Sequence, residues 1–191
     1  MKKVIIGISG SSAPILGVRI LEVLAKNSEV ETHLVLSETV EKTLSIEAAA
    51  YSVPRLKELA SFSYGVKDMA ASIASGSFLT DGMVVIPCSM RTLSAIAHAQ
   101  SDNLLTRAAD VTLKERRPLI LVTRETPLNL AHLRNMVQVT EMGGVILPPN
   151  VAFYHQPKSP MDLVDHTVGK VLDVLKIPHE LFRRWQGAPR S

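Results

Sequence analysis

The residues best suited to chemistry sit just after apolar runs. Ser9-Gly10-Ser11-Ser12-Ala13-Pro14 follows KVIIGI and precedes a helical stretch. Small residues let the backbone approach a ligand, and a helix N-terminus offers free N–H groups and partial positive charge, so a phosphate is the natural guest. The loop is neither G-x-G-x-x-G nor G-x-x-x-x-G-K-S/T, which removes the dinucleotide fingerprint and the nucleotide-hydrolase loop. A plain tight turn is the competing reading. Ser37 ends the next run, as a helix cap, a phosphate ligand or both. Ser75-Gly76-Ser77 and Ser89-Met90-Arg91-Thr92 are two more hydroxyl-rich turns, the second after GMVVIPC; as a bare pattern it caps a helix more often than it binds a ligand.

Arg124-Glu125 follows PLILVT directly. An arginine there can grip phosphate through two parallel bonds, and a glutamate beside that phosphate is a candidate proton donor. Arg107 and Lys114 are seven apart and share a helix face; either they form a solvated helix end with Arg116 and Arg117, or they meet an anion. Tyr154, in FYHQP, either anchors a ligand or packs a loop. His98, His132 and His155 lack metal-ligand spacing, so no metal is expected. No G-x-S-x-G elbow is present.

These candidates need a scaffold that presents strand ends. Residues 3–8, 32–36, 82–86, 118–123 and 144–147 read as strands that are almost wholly apolar. Helices are expected over 14–26, 38–50, 90–100, 103–115 and 128–141, with two short ones within 52–80. Ser159-Pro160-Met161-Asp162 combines a cap, proline at the first helical position and an acid three residues on, so a final helix starts there. Apolar strands alternating with helices predict an α/β, doubly wound parallel sheet, a Rossmann-like or flavodoxin-like three-layer fold. In such sheets ligands bind beyond the strands' carboxyl ends.

Composition narrows the function. The length of 191 residues suits a single domain over 1–191, and 46% apolar residues can build its core. One cysteine excludes a disulfide framework and a cysteine zinc site and points to a reducing compartment. A net charge of +3 with 4% aromatics argues against nucleic-acid binding. Residues 22–47 carry six glutamates while Arg107, Lys114, Arg116, Arg117 and Arg124 cluster later, which fits a local pocket for a small anion. No run approaches the ~20 apolar residues of a membrane span. The first apolar run stops at Ser9, too early for an export signal, so a cytoplasmic location is expected.

The strings VIIGISG, ETHLVLS, ASGSF, TDGMVVIPCSM, LLTRAADVTLKERRPLILVTRETPLN, LPPNVAFYHQP and RWQG together resemble flavin prenyltransferases of the UbiX family, end to end. The resemblance implies a flavoprotein that joins the dimethylallyl group of dimethylallyl phosphate to N5 and C6 of reduced FMN, without a metal. Prenylated FMN would then serve a UbiD-type decarboxylase. It implies FMN contacts at Gly10, Ser11, Ser12, Ser37, Ser89, Met90, Arg91, Thr92, Arg107 and Arg124. Catalytic roles would fall to Glu125, Ser12, Lys114 and Glu47, and substrate contacts to Tyr154, Lys170, Lys114, Ser75, Gly76 and Trp185. A homo-dodecamer is implied, with the C-terminal helix and tail, about 159–191, in its contacts and neighbouring subunits completing each site. Three positions depart from the family pattern. Ala13 stands where glycine is common, which puts a positive φ there in doubt; Lys170 often has arginine, and Met69 sometimes tryptophan. The rival readings are a non-catalytic FMN-binding subunit of an aromatic-acid decarboxylase and a flavin-dependent cysteine decarboxylase of the same fold.

Overall fold

The computed structural model of the chain describes residues 1–187. The end of the 159–191 tail, residues 188–191, lies outside the described residues. Six parallel strands form one sheet: β1 Lys2–Ile8, β2 Val30–Leu36, β3 Phe62–Tyr64, β4 Gly82–Cys88, β5 Leu119–Thr123 and β6 Val145–Ile146. Their order is β3-β2-β1-β4-β5-β6, so the chain reverses direction of travel between β1 and β4. That is the Rossmann order of the doubly wound fold, and its switch point is the β1/β4 crevice.

The helices are α1 Ile15–Leu24, α2 Val40–Glu47, α3 Val53–Leu59, α4 Met90–Ala97, α5 Leu104–Lys114, α6 Leu130–Glu141 and α7 Pro160–Val174. Alternation along the strands decides which helices each face receives. Val4, Ile6 and Ile8 point to one layer with Leu21 of α1, Leu56 of α3 and Val168 of α7. Ile5, Met83 and Val85 point to the other with Leu93 of α4, Leu105 of α5 and Val139 of α6. Burial of both faces explains why the strands read as unbroken apolar runs.

Residues 52–80 hold α3, the edge strand β3 and a single 3₁₀ turn, Ser72–Ala74, in place of two short helices. β3 carries only Phe-Ser-Tyr, too short for a periodic signal; it is fixed by pairing its Phe62 with His33 of β2. At α7 the expected start is observed. The Ser159 side chain accepts from the Asp162 N–H, Asp162 accepts from the Ser159 N–H, and Pro160 takes the first turn. Its far end is held at the sheet's amino edge, where the Lys2 ammonium donates to the carbonyls of Leu175 and Lys176 at 2.9 and 2.8 Å.

The segment after α7 is anchored by charge. Arg184 Nη2 donates to Asp173 Oδ1 at 2.7 Å and His179 Nε2 lies 3.1 Å from the same oxygen. Arg184 chiefly, with His179, brings the Asp173 carboxyl down to about 2 against opposing burial. A depressed folded-state pKa gives stability that is complete above the ordinary aspartate range near pH ~3.9 and is lost as pH falls from there through about 2. Asp173→Asn should therefore lower stability at pH 7 by about 1 kcal/mol after solvent screening, and flatten the acid limb. Urea titrations at pH 7 and pH 3 would check both.

Ala13 adopts φ +65°, so the turn into α1 keeps a left-handed residue although an alanine fills it. That conformation costs an L-residue roughly 1–2 kcal/mol, partly offset by alanine's smaller unfolded-state entropy. Ala13→Gly is expected to raise unfolding free energy by up to about 1 kcal/mol, and Ala13→Val to lower it by at least as much. Denaturant midpoints of the three proteins would show the order.

Candidate active site

Four loops meet where the strands end. Ser37 N–H donates to the Ile8 carbonyl at 2.9 Å, and Arg124 N–H to the Cys88 carbonyl at 3.1 Å. Between them, the buried Ser9 hydroxyl donates to the Pro87 carbonyl at 2.8 Å and accepts from the Ser89 N–H at 2.9 Å. Ser11 Oγ then donates to the Arg124 carbonyl at 3.2 Å. Ser37, Ser9, Ser11, Ser89 and Arg124 thus form one continuous rim across the switch point. The sequence places Ser9 in the first loop but gives it no role apart from its neighbours; its burial and its two bonds set it apart.

The rim is rich in donors. No side chain caps α1, whose N-cap residue is Pro14, and no acid sits in its first turn. Its approach is instead held by Glu47 at the end of α2. Glu47 Oε2 accepts from the Ser12 hydroxyl at 2.9 Å and from the Ala13 N–H at 2.8 Å. A carboxylate beside a helix N-terminus is electrostatically favoured. Gly10 lies so close to Thr39 that any Cβ would run into its side chain, and Thr43 Oγ1 donates to the Gly10 carbonyl at 3.3 Å. Close approach, not positive φ, is why glycine stands there. Ser37 Oγ lies 3.3 Å from Thr39 Oγ1 and does not cap α2.

At the second loop Ser89 caps α4, accepting from the Thr92 N–H, with Thr92 Oγ1 3.0 Å from its hydroxyl. The Met90 side chain is buried in the core, so ligand contact there falls to its main chain. Arg91 is exposed beside Glu38, whose carboxyl is held below the usual range mainly by Lys67. Arg124 and Glu125 are both exposed; among the described residues Arg124 has no ion pair. Glu125 Oε1 accepts only a neighbouring N–H, from Thr126 at 3.1 Å.

The other expected residues form two separate groups. Arg107, Lys114, Ser75 and Gly76 line one open cleft of about 530 Å³. Arg107 pairs with Asp110 at 2.8 Å and Lys114 with Glu115, which Lys114 holds below the usual carboxylate range. Arg117 Nη2 donates to the Gly76 carbonyl at 2.7 Å and fixes the cleft's other wall. This cleft adjoins the start of β5 and the segment leading into β4, hence the amino edge of the sheet. The seven residues of β4 separate it from the rim, a span of roughly 20 Å at ~3.3 Å per residue.

The third group flanks α7. Tyr154 Oη lies 2.9 Å from His166 Nε2, and its ring meets Trp185 edge-on at 6.3 Å. Lys170 Nζ donates to Asp173 at 3.4 Å. No hydrogen bond among the described residues joins this group to the rim. Within one chain the expected site residues are therefore three patches. His166 and its stacked neighbour His155 were not anticipated, since no spacing rule links a loop tyrosine to a helix residue twelve positions on.

The rim's donor set of unpaired arginine, uncapped helix terminus and hydroxyls suits a phosphate-bearing mononucleotide such as FMN. The sequence profile of the Flavoprotein family matches residues 1–185. Flavin prenyltransferase UbiX of Escherichia coli (strain K12) is 54% identical over 190 residues, spanning 98% of this chain and all of that protein. The crystal structure of AnUbiX (PadA1) in complex with FMN and dimethylallyl pyrophosphate superposes with a TM-score of 0.95 at 45% identity, covering 98% of each chain. A dodecameric FMN-dependent UbiX-like decarboxylase from Escherichia coli O157:H7 gives 0.94 at 48% identity, over 97% of this chain and 100% of that one. With its fold, its rim and full-length identity in agreement, the chain belongs to the Flavoprotein family and, within it, to the UbiX-type flavin prenyltransferases.

Proposed function

We propose that this protein joins the dimethylallyl group of dimethylallyl phosphate to N5 and C6 of reduced FMN, making prenylated FMN for a UbiD-type decarboxylase. The observation that carries the reading is the knitted rim, with Arg124 unpaired beside Glu125 and Ser12 hydrogen-bonded to Glu47. Reduced FMN, when bound, would supply an electron-rich N5 that takes the C1′ carbon and a C6 that takes C3′; C2′ would gain a proton as C6 loses one, so ring closure changes no net proton count. Gly10, Ser11, Ser12, Ser37 and the Ser89–Thr92 turn hold the mononucleotide. Arg124, Lys114, Tyr154 and Lys170 surround the allylic phosphate and offset the charge that grows as its carbon–oxygen bond breaks. Glu125 places a proton on the departing phosphate oxygen. Ser12 takes up the N5 proton and passes its own to Glu47, the direction its present hydrogen bond already has. Ser75, Gly76, Arg107 and Trp185 complete the walls. Three cations, Arg124, Lys114 and Lys170, with the Tyr154 hydroxyl do the work a divalent metal does for allylic diphosphates.

The separation of the patches supports assembly. Lys114 and Arg124 lie toward opposite edges of the sheet, so on this reading a second copy brings Lys114 to the rim. Exposed apolar side chains support the same reading: Leu130, Leu133 and Val137 along α6 are 60, 46 and 57% exposed, and Phe153 and Trp185 are 69 and 64% exposed. The dodecameric relative fits this requirement. Among the described residues no helix is long and apolar enough to cross a membrane, and we place the protein in the cytoplasm, where its lone buried thiol, Cys88, stays reduced. Neither rival reading is favoured by a specific observation.

Anaerobic incubation with reduced FMN and dimethylallyl phosphate should yield a flavin heavier by one five-carbon unit, with phosphate released. An unchanged flavin mass would sink the reading, and a parallel reaction with the diphosphate ranks the two donors. In the same assay Glu125→Gln is expected to lose about 10²-fold or more in turnover. Wild-type rates in that variant would remove the acid role. Lys114→Ala and Glu125→Gln should each be nearly inactive alone yet regain turnover when co-assembled, because mixed oligomers contain sites with both native residues. No recovery would place Lys114 and Glu125 in the same chain's site.

A further inference from the structure

Tyr154 hydrogen-bonds His166 at the edge of α7, and what that bond does to the tyrosine has a chemical consequence. A phenol has one hydrogen to donate. If His166 Nε2 is the acceptor, that hydrogen points at the imidazole and Tyr154 offers only lone pairs outward. A phosphate oxygen would meet lone pairs with lone pairs. If Nε2 carries a hydrogen, it donates to Tyr154 Oη, and the phenol hydrogen is free for the phosphate. The 2.9 Å contact accommodates both arrangements.

We propose that His166 is a positioning residue for the allylic phosphate: through Nε2 it sets whether Tyr154 presents a donor, and its protonated ring is the form that favours phosphate binding. This rests on the reading of Tyr154 as a phosphate contact given above. The surroundings make the ring responsive. His155 stacks on it, centroids 4.9 Å apart and nearly parallel, with both its own nitrogens buried and unpartnered among the described residues. Phe182 covers another side at 4.8 Å. Burial, then the repulsion of His155 and Lys170, outweighs the attraction of Asp173 and lowers the His166 pKa from 6.5. Arg184, from the segment after α7, lies near enough to act on Tyr154. Without a ligand the ring is therefore neutral at pH 7. A phosphate dianion arriving at Tyr154 stabilises the imidazolium, so proton uptake and phosphate binding are coupled.

The sign follows. Affinity for the allylic phosphate should rise as pH falls through the His166 pKa and weaken above it. The phosphate monoester titrates near pH ~6 as well, so the comparison must be with a variant that cannot titrate. We expect calorimetry of dimethylallyl phosphate binding to protein loaded with oxidised FMN, where no turnover intervenes, to show the coupling between pH 5.5 and 8. His166→Gln retains a hydrogen-bond partner for Tyr154 and should bind within about threefold of wild type at pH 8, but lack the extra gain at low pH. His166→Phe keeps a ring against His155 and removes the bond; its affinity at pH 6 should fall on the order of tenfold. In steady state the Phe variant should raise KM more than it lowers kcat. If wild type and His166→Gln keep a constant affinity ratio across that pH range, the inference is wrong while the function stands. If wild type binds no dimethylallyl phosphate at all, the proposed function is wrong and this inference falls with it.

Discussion

Everything at the ligand edge depends on one buried hydroxyl. Ser9 Oγ bridges the ends of β1 and β4, giving its hydrogen to the Pro87 carbonyl and taking one from the Ser89 N–H. The switch point of a doubly wound sheet is where two crossovers leave in opposite directions, so a crevice opens and backbone groups lose their strand partners. Those groups lie too deep for water and must be satisfied internally. The Ser9 hydroxyl satisfies the Ser89 N–H and adds a second bond to the Pro87 carbonyl, which also accepts the Ser9 N–H at 3.2 Å. That bond sets the distance between the α1 turn and the α4 turn, and so the width available to anything lying across them.

Charge at the site is organised by a second constraint. Every cation read as an active-site residue except Arg91 and Arg124 holds a carboxylate from its own helix or the residue just beyond: Arg107 with Asp110, Lys114 with Glu115, Lys170 with Asp173. Such exposed pairs contribute little to stability. They do keep three positive groups partly neutralised on surfaces that the proposed assembly would bring close together. Mutual repulsion would otherwise oppose assembly, and the carboxylates remain free to yield to a better-placed anion.

Much of this was legible in the sequence because parallel sheets write themselves as apolar runs. β1, β2, β4 and β5 and the capped start of α7 stand out for that reason. β6 is only two residues long but falls within the expected run 144–147, whereas β3, three residues long, carries no period and exists only through its partner. The rim residues Gly10 to Ser12, Ser89 and Arg124 follow strands, so topology alone puts them on one edge. Arg107 and Lys114 share a helix face as their spacing requires, but spacing does not say toward which edge of the sheet that face opens. Glu47 grips the first loop through a fold-level return of α2 that no local pattern encodes. Ser37 shows the opposite case: a serine placed like a cap that makes no capping bond.

Arg124 combines two properties rarely joined in one residue. Its main chain is clamped on both sides, N–H to Cys88 and carbonyl to Ser11, while its guanidinium has no partner among the described residues. On the proposed reading the guanidinium can follow a bound anion by rotation of one side chain, without disturbing the strand end that holds it. The same division insulates folding from recognition: the side chain at 124 can be exchanged, and the preference for a different anion explored, without loosening the scaffold beneath it.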